Sequence, residues 1–317
     1  MGDLVIKILL FALVLWSCSD DYEREILNYN SNEISFSTSL YTLNSSSKQE
    51  SRAMGVNYIV EEEEWPLYSS QSSSRVTPTL SLHGSAGMLG YLHSGTWGTS
   101  VTPYSDLNNI EFFFSGDQLT SNDNLVYWSD ISDSGKDSLR VYAYSPKSLG
   151  NTPVGGESPL GVAANGVPTI NYTVPHNVLQ QHDLITATSL SVDKDYRTPI
   201  SLPFTHALTA IRFKVDIDCT IKSISVNNVY NKGTYIFGED WVVDNMSKDS
   251  YTIPGDSLVK ESHTLMLLPQ DLPDGSEVVL VYNDGAVDDK TIRTDISSLV
   301  WEPGKLITYT LYAAKSK

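Results

Sequence analysis

Cysteine is nearly absent: 317 residues hold two, Cys18 and Cys219. That excludes a disulfide framework and a cysteine-rich zinc fold. Positive charge is scarce too. Lys and Arg number 21 against 38 Asp and Glu, a net charge of −17, with a pI near 4.6. Such a surface repels phosphate backbones, so nucleic acid is not an expected partner. It also argues against adsorption to anionic lipid through a basic patch. No stretch keeps a long helical period, and no internal repeat is visible. The six histidines, His83, His93, His176, His182, His206 and His263, lack zinc-ligand spacing. His206 reads as a structural residue, capping or packing at a strand start. Gly84, Gly87 and Gly90 have no strand–helix setting that would make them a phosphate loop. No cofactor and no metal site are expected. No nucleophile–base pair stands out, so the chain reads as a non-enzyme.

Two motifs imitate chemistry. Gly255-Asp256-Ser257-Leu258 has the letters of the GDSL esterases, but it lies late in the chain, in a β-rich setting, with no Asp-x-x-His after it. Turn chemistry explains it better. Asp130 to Asp137 spaces carboxylates at calcium-like intervals, yet it has no closing Glu and contains Lys136. A polar hairpin loop is the simpler reading.

What the sequence does have is β texture. Hydrophobic residues make up 40% and charged residues only 19%. Ser, Thr, Asn, Tyr and Gly fill much of the remainder, as in extracytoplasmic β proteins. Residues 1–17 read as a signal peptide: Lys7, then an apolar run from Ile8 to Trp16 that is short for a bilayer span. Leu15-Trp16-Ser17-Cys18 looks like a lipobox, so Cys18 is the expected lipidation site, a diacyl-type (palmitate-bearing) anchor. The competing reading is an ordinary secretory signal. Cys219 then has no partner for a disulfide and reads as a small core residue.

Glu33–Leu43 is a strand candidate in which Ile34, Phe36 and Leu40 share a face. Asn44–Ser51 reads as a flexible polar linker ending at Arg52-Ala53. From Val76 onward, short β-rich segments alternate with turn signals, the spacing of a sandwich. Pro199–Asp218 organises the second half. Ile211, Phe213, Val215 and Ile217 alternate with Arg212, Lys214 and Asp216, a strand buried on one side. Pro199 and Pro203 break the approach to it. The expected divisions are 1–17 signal peptide, 18–52 lipidated propeptide with one strand and a linker, 53–198 first β-sandwich and 199–317 second. Trp65, Tyr68, Tyr91, Trp97 and Tyr104 crowd the early part, suited either to a core or to stacking on sugars or a protein partner.

Four blocks carry a family resemblance. One is the lipobox leader, followed by Ile34-Ser35-Phe36-Ser37 and then Arg52-Ala53. Another is Asp183-Leu184-Ile185-Thr186-Ala187. The most specific is Phe204-Thr205-His206-Ala207-Leu208-Thr209-Ala210-Ile211-Arg212-Phe213. The last pairs Met266-Leu267-Leu268-Pro269-Gln270 with Trp301-Glu302-Pro303-Gly304-Lys305 and Tyr309-Thr310-Leu311. In this order the chain resembles the fimbrillin-like pilus proteins of Bacteroidetes.

The resemblance implies two transthyretin-like β-sandwich domains in tandem. It implies export as an outer-membrane lipoprotein, then proteolysis after an arginine, here Arg52 with Ala53 as the new amino terminus. It implies that the displaced strand bearing Ile34, Phe36 and Leu40 is replaced by a donor strand from another fimbrial subunit. The implied role is cell adhesion from a surface fimbrium, with a host or bacterial surface ligand, protein or glycan, as a further partner. The tail after Tyr312, AAKSK, lacks an alternating donor pattern. Either Leu306–Tyr312 is donated or the subunit only accepts, which suits a tip or accessory stalk position. The rival reading is a lipid-anchored carbohydrate- or protein-binding module that does not polymerise.

Overall fold

The computed structural model describes residues 33–40, 46–53, 56–65, 84–98, 100–122, 125–151, 158–163, 166–260 and 263–313. Cys18 and Tyr68 lie outside them. Along the chain run β1 (Phe36–Leu40), β2 (Ser46–Ala53), β3 (Val56–Glu64), β4 (Ser85–His93), β5 (Thr102–Ser115) and β6 (Gln118–Thr120). The short helix α1 (Trp128–Asp133) precedes β7 (Ser138–Ser145). Then come β8 (Leu160–Val162), β9 (Pro168–Thr173), β10 (Ile185–Thr188), β11 (Val192–Asp193) and β12 (Ile200–His206). The second half holds β13 (Thr209–Asp216), β14 (Thr220–Tyr230), β15 (Lys232–Ile236), β16 (Trp241–Val243) and β17 (Lys248–Pro254). After α2 (Gly255–Lys260) follow β18 (Thr264–Leu267), β19 (Gln270–Asp271), β20 (Glu277–Asn283), β21 (Lys290–Asp295), β22 (Val300–Trp301) and β23 (Lys305–Ala313).

The first sheet has the order β10-β12-β1-β6-β5-β4-β7-β11, and β10 also pairs with β7. The hydrogen-bond ladder therefore returns on itself, and the ring of β10, β12, β1, β6, β5, β4 and β7 is closed. Closure removes exposed edges and leaves one interior to fill. Ile34, Phe36, Met88, Leu107, Phe112, Leu119, Leu139, Val141, Leu202 and Phe204 are among the side chains that fill it.

The second half, joined by β2 and β3 from near the amino end, stacks two sheets, β18-β13-β23-β3-β2 and β17-β14-β20-β21. Between them lies a core with Ile211, Phe213, Ile224, Val226, Tyr251, Leu265, Leu280, Ile307 and Tyr309. This core continues through Ile170 and Tyr172 of the small sheet β16-β15-β9-β8 to Leu89, Tyr91, Tyr142 and Tyr144 on β4 and β7. β4 is thus buried along nearly its whole length. Its glycines suit that crowding: a Cβ at Gly87 would sit 2.4 Å from the Tyr144 ring, and one at Gly90 2.8 Å from Leu107.

Three placements differ from the sequence reading. Ser46–Ala53, expected as mostly linker, is β2, the outermost strand of the second sandwich's sheet. Its sequence has no apolar face to announce a strand. What makes it one is the backbone edge of β3, which satisfies its amides. Pro203, expected as a break, lies inside β12. Ile200 N donates to Ser35 O; residues two apart face the same neighbour, so Leu202 and Phe204 also face β1. Pro203 faces away, toward β10, whose pairing begins only at Thr205, so its missing N–H breaks no ladder. Finally, Arg212 is buried rather than wet, because that half of β13 is covered on both faces. Lys214 and Asp216 are exposed as the alternation implies.

Candidate functional site: the slot of the first strand

β1 is paired along both of its sides. It runs parallel to β12, from Phe36 opposite Ile200 to Leu40 opposite Phe204. On its other side it runs antiparallel to β6, with Phe36 opposite Leu119. Backbone bonds outside the ladder extend the hold: Ile34 N donates to Val126 O at 2.8 Å and Thr38 N to Asp117 O at 2.8 Å. It is the stave that closes the ring.

Its side chains alternate accordingly. Ile34 and Phe36 are 6% and 2% exposed, while Ser35, Ser37 and Thr38 between and after them are half-buried. Phe36 meets Phe112 edge to face, with ring centroids 5.4 Å apart. Leu40 belongs to β1 through its backbone pairing with Phe204. The floor of the slot is built by Phe112, Leu119, Ile200, Leu202 and Phe204. Of these, Ile200, Leu202 and Phe204 lie in the Pro199–Asp218 stretch singled out from sequence, and Phe204 also in the most specific family block. Leu119 sits in a three-residue strand too short to show a period.

Arg52 and Ala53 are not in the ring. They end β2, with Arg52 opposite Asn57 and Ala53 opposite Val56, one step from the hairpin connection. The slot residues Ile34 and Phe36 and the Arg52-Ala53 junction thus lie on different sheets, joined through residues 41–45.

β12 leads out of the ring through a buried polar cluster. His206 Nδ1 lies 2.6 Å from Asp183 Oδ2, both side chains buried. The Trp65 ring stacks on His206 with centroids 4.0 Å apart and planes 7° apart. Trp65 N donates to Gly304 O, and Gly304 N to Leu208 O. The block around Phe204–Phe213 is therefore the hinge between ring and sandwich, and His206 packs there at the end of β12.

The aromatic residues considered for ligand contact mostly turn inward. Trp65, Tyr91 and Tyr104 are buried, and Trp97 is half-buried beneath the Arg140 guanidinium, 4.7 Å from the ring centroid. Gly255–Lys260 is a short helix opened by a Gly255 at φ 77° rather than a simple turn. The Asp130 to Asp137 segment forms α1 and a Gly135 turn at φ 75°. Cys219 is half-buried against the second core.

A profile described as fimbrillin-like matches residues 91–315. The chain belongs to the fimbrillin-like family. Among solved structures, a candidate cell adhesion protein from Bacteroides uniformis ATCC 8492 is similar with a TM-score of 0.54 at 13% identity. The match covers 89% of this chain and 94% of that one. It shows that the fimbrillin-like chain shares that overall fold. A candidate cell adhesion protein from Bacteroides ovatus ATCC 8483 matches with a TM-score of 0.44 at 17% identity, over 76% of this chain and 85% of that one. The fimbrial anchor protein Mfa2 from Porphyromonas gingivalis matches with a TM-score of 0.28 at 16% identity, over 68% and 75%. No curated protein matches in sequence.

Proposed function

We propose that this fimbrillin-like chain is a structural subunit of a cell-surface fimbrium serving adhesion. In this reading it is exported as an outer-membrane lipoprotein anchored through Cys18, cut after Arg52, and assembled when a neighbouring subunit's strand takes the place of β1. Its two parts would be tandem transthyretin-like domains, the first completed by the strand it later gives up. The family membership supports a fimbrial role, and the similar Bacteroides uniformis structure, described as a cell adhesion protein, agrees with an adhesive one.

The observation that carries the mechanism is the position of β1. It lies within the closed ring, hydrogen-bonded on both sides, with Ile34 and Phe36 in the interior. Taking it out exposes apolar floor at about 25 cal/mol per Å² and leaves two facing rows of backbone groups without partners. A donated strand restores both at once. β23 is a poor candidate for the donor. It lies between β13 and β3, with Leu306, Ile307, Tyr309 and Leu311 buried. That favours an accepting role at the tip or in an accessory stalk position.

The test is amino-terminal sequencing of the protein shed or extracted from its native cell surface. Ala53 as the first residue of polymerised material supports the reading. Surface material that all retains a lipidated Cys18 and never polymerises overturns it. The rival, a tethered sugar-binding module, needs a solvent-facing aromatic platform, which the burial of Trp65, Tyr91 and Tyr104 does not provide.

A further inference from the structure

The cut after Arg52, on whose reading this inference rests, would separate two strands from the body and not one. β1 fills the slot in the ring. β2 covers an edge of the other sheet: all 8 of its residues pair antiparallel with β3, from Ser46 opposite Glu63 to Ala53 opposite Val56. Only residues 41–45 connect the two. We propose that residues 34–52 form a two-site plug whose removal opens two strand-binding edges, the slot beside β12 and the outer edge of β3, and that the partner is a polypeptide offering two extended segments in tandem.

The chemistry of each segment follows from what it would meet. The slot takes a strand with apolar side chains at the Ile34 and Phe36 positions and small polar ones between, parallel to β12. The edge of β3 is acidic, since Glu61, Glu62, Glu63 and Glu64 follow one another along it. The register of β2 sets Ser46, Ser47 and Lys48 opposite Glu63, Glu62 and Glu61. Glu62 is already engaged by Lys305 at 3.5 Å from the β23 side, so the edge is served by neutral or basic residues from both flanks. A second copy's β3 laid there would bring one acidic run against another, which like charges in register disfavour. The second segment of the partner is therefore neutral to basic.

Two linked segments bind with the avidity of an intramolecular second step, which gains about 10²–10⁴ over either alone when the link spans the sites. The native link, residues 41–45, spans them. The nicked protein should accordingly keep its own plug until a tandem competitor arrives.

The experiment uses the full chain with a site-specific protease sequence inserted between Arg52 and Ala53, cleaved in vitro. Fluorescent synthetic peptides of residues 34–52, 34–40 and 46–52, and of 34–52 with Lys48→Glu, are added, and uptake is followed by anisotropy. The tandem peptide is expected to bind about 100-fold more tightly than either half. Lys48→Glu is expected to weaken it, less so at high salt. A second variant carries the cut within residues 41–45, which leaves β2 attached. There the tandem peptide should bind no better than residues 34–40. Equal affinity of 34–40 and 34–52 for the first variant overturns the second edge. Uptake of no peptide by a nicked chain that retains native circular dichroism overturns the exchangeable plug. Because the cut is engineered, these results stand apart from whether cells cut after Arg52, which amino-terminal sequencing decides.

Discussion

Phe36 touches the edge of Phe112 across the ring interior, with centroids 5.4 Å apart and planes at 82°. This contact joins a strand near the amino end to the later part of β5, and it defines what the ring loses with β1. Phe36→Ala removes a ring that is nearly inaccessible to water, in a site braced on both sides by backbone ladders. The expected cost is about 3–5 kcal/mol. Ile34→Ala should cost about 2–5 kcal/mol. Ser37→Ala, half-buried between the apolar positions, should change stability by no more than about 0.5 kcal/mol. Denaturant unfolding of the full chain measures all three. Equal small effects would mean that β1 only lies against the ring.

Gly87 offers a separate check of the packing between ring and sandwich. Its missing side chain leaves room for the Tyr144 ring, whose hydroxyl donates to Asn109 Oδ1 at 2.5 Å. A Cβ at Gly87 would lie 2.4 Å from two carbons of that ring and 2.5 Å from its hydroxyl, so the ring would have to shift. Gly87→Ala is expected to cost about 1–3 kcal/mol by overpacking. Adding Tyr144→Leu should recover part of that loss, and a double-mutant cycle reads the coupling.

The hinge cluster gives a third outcome. Asp183 accepts from His206, on whose ring Trp65 stacks, and the Asp183 and His206 side chains are both buried. Asp183→Ala leaves the imidazole with a buried polar atom and no acceptor, at about 1–3 kcal/mol. Asp183→Asn keeps a carbonyl oxygen in reach and should retain most of the stability. A comparable loss in both variants would show that the charge, rather than the hydrogen bond, holds the hinge.

Alkaline pH should unfold the protein in a way that tyrosinate absorbance can follow. Burial raises Tyr142 from its usual value near 10 to about 12, and burial likewise pushes Tyr104, Tyr144, Tyr172 and Tyr251 upward. A phenol with a raised folded pKa favours the folded state fully below its unfolded value of 10. That contribution is lost as pH rises from 10 through the folded value. Stability should therefore be flat in this respect up to pH 10 and fall steeply above it. Ionisation at 295 nm should arrive together with loss of circular dichroism. Tyrosines that ionise well before the fold melts would contradict the buried setting.

Much of this architecture is readable in the residues because it rests on local alternation. Ile34 and Phe36 announce β1, and Ile211 and Phe213 announce β13. What alternation cannot carry is partnership. Ser46–Ala53 has no apolar face, so only the edge of β3 makes it a strand. Gln118–Thr120 is three residues long and gains its meaning from lying beside β1. Pro203 looks like a break until its direction relative to β1 is known. The closure of the ring through β10 and β7 is likewise a long-range fact, with nothing in either segment to mark it.

The position of Arg52 leads to the last prediction. A protease needs an extended, detachable stretch of backbone, and Arg52 lies in the outermost strand, one residue from its end. An edge strand has a ladder on one side only and opens at less cost than a central one. Fraying of the β2 end near residues 54–55 would present Arg52 while β1 stays seated in the ring. Arg52→Gln is therefore expected to leave the surface protein at precursor size in native cells, with its thermal stability within about 0.5 kcal/mol of the parent. Lys48→Gln, in the same strand but four residues farther from the turn, should be processed normally. Gel mobility and amino-terminal sequencing of the two variants make the comparison. Normal maturation of Arg52→Gln would count against the proposed cut at Arg52, and with it against the proposed loss of β1 and β2.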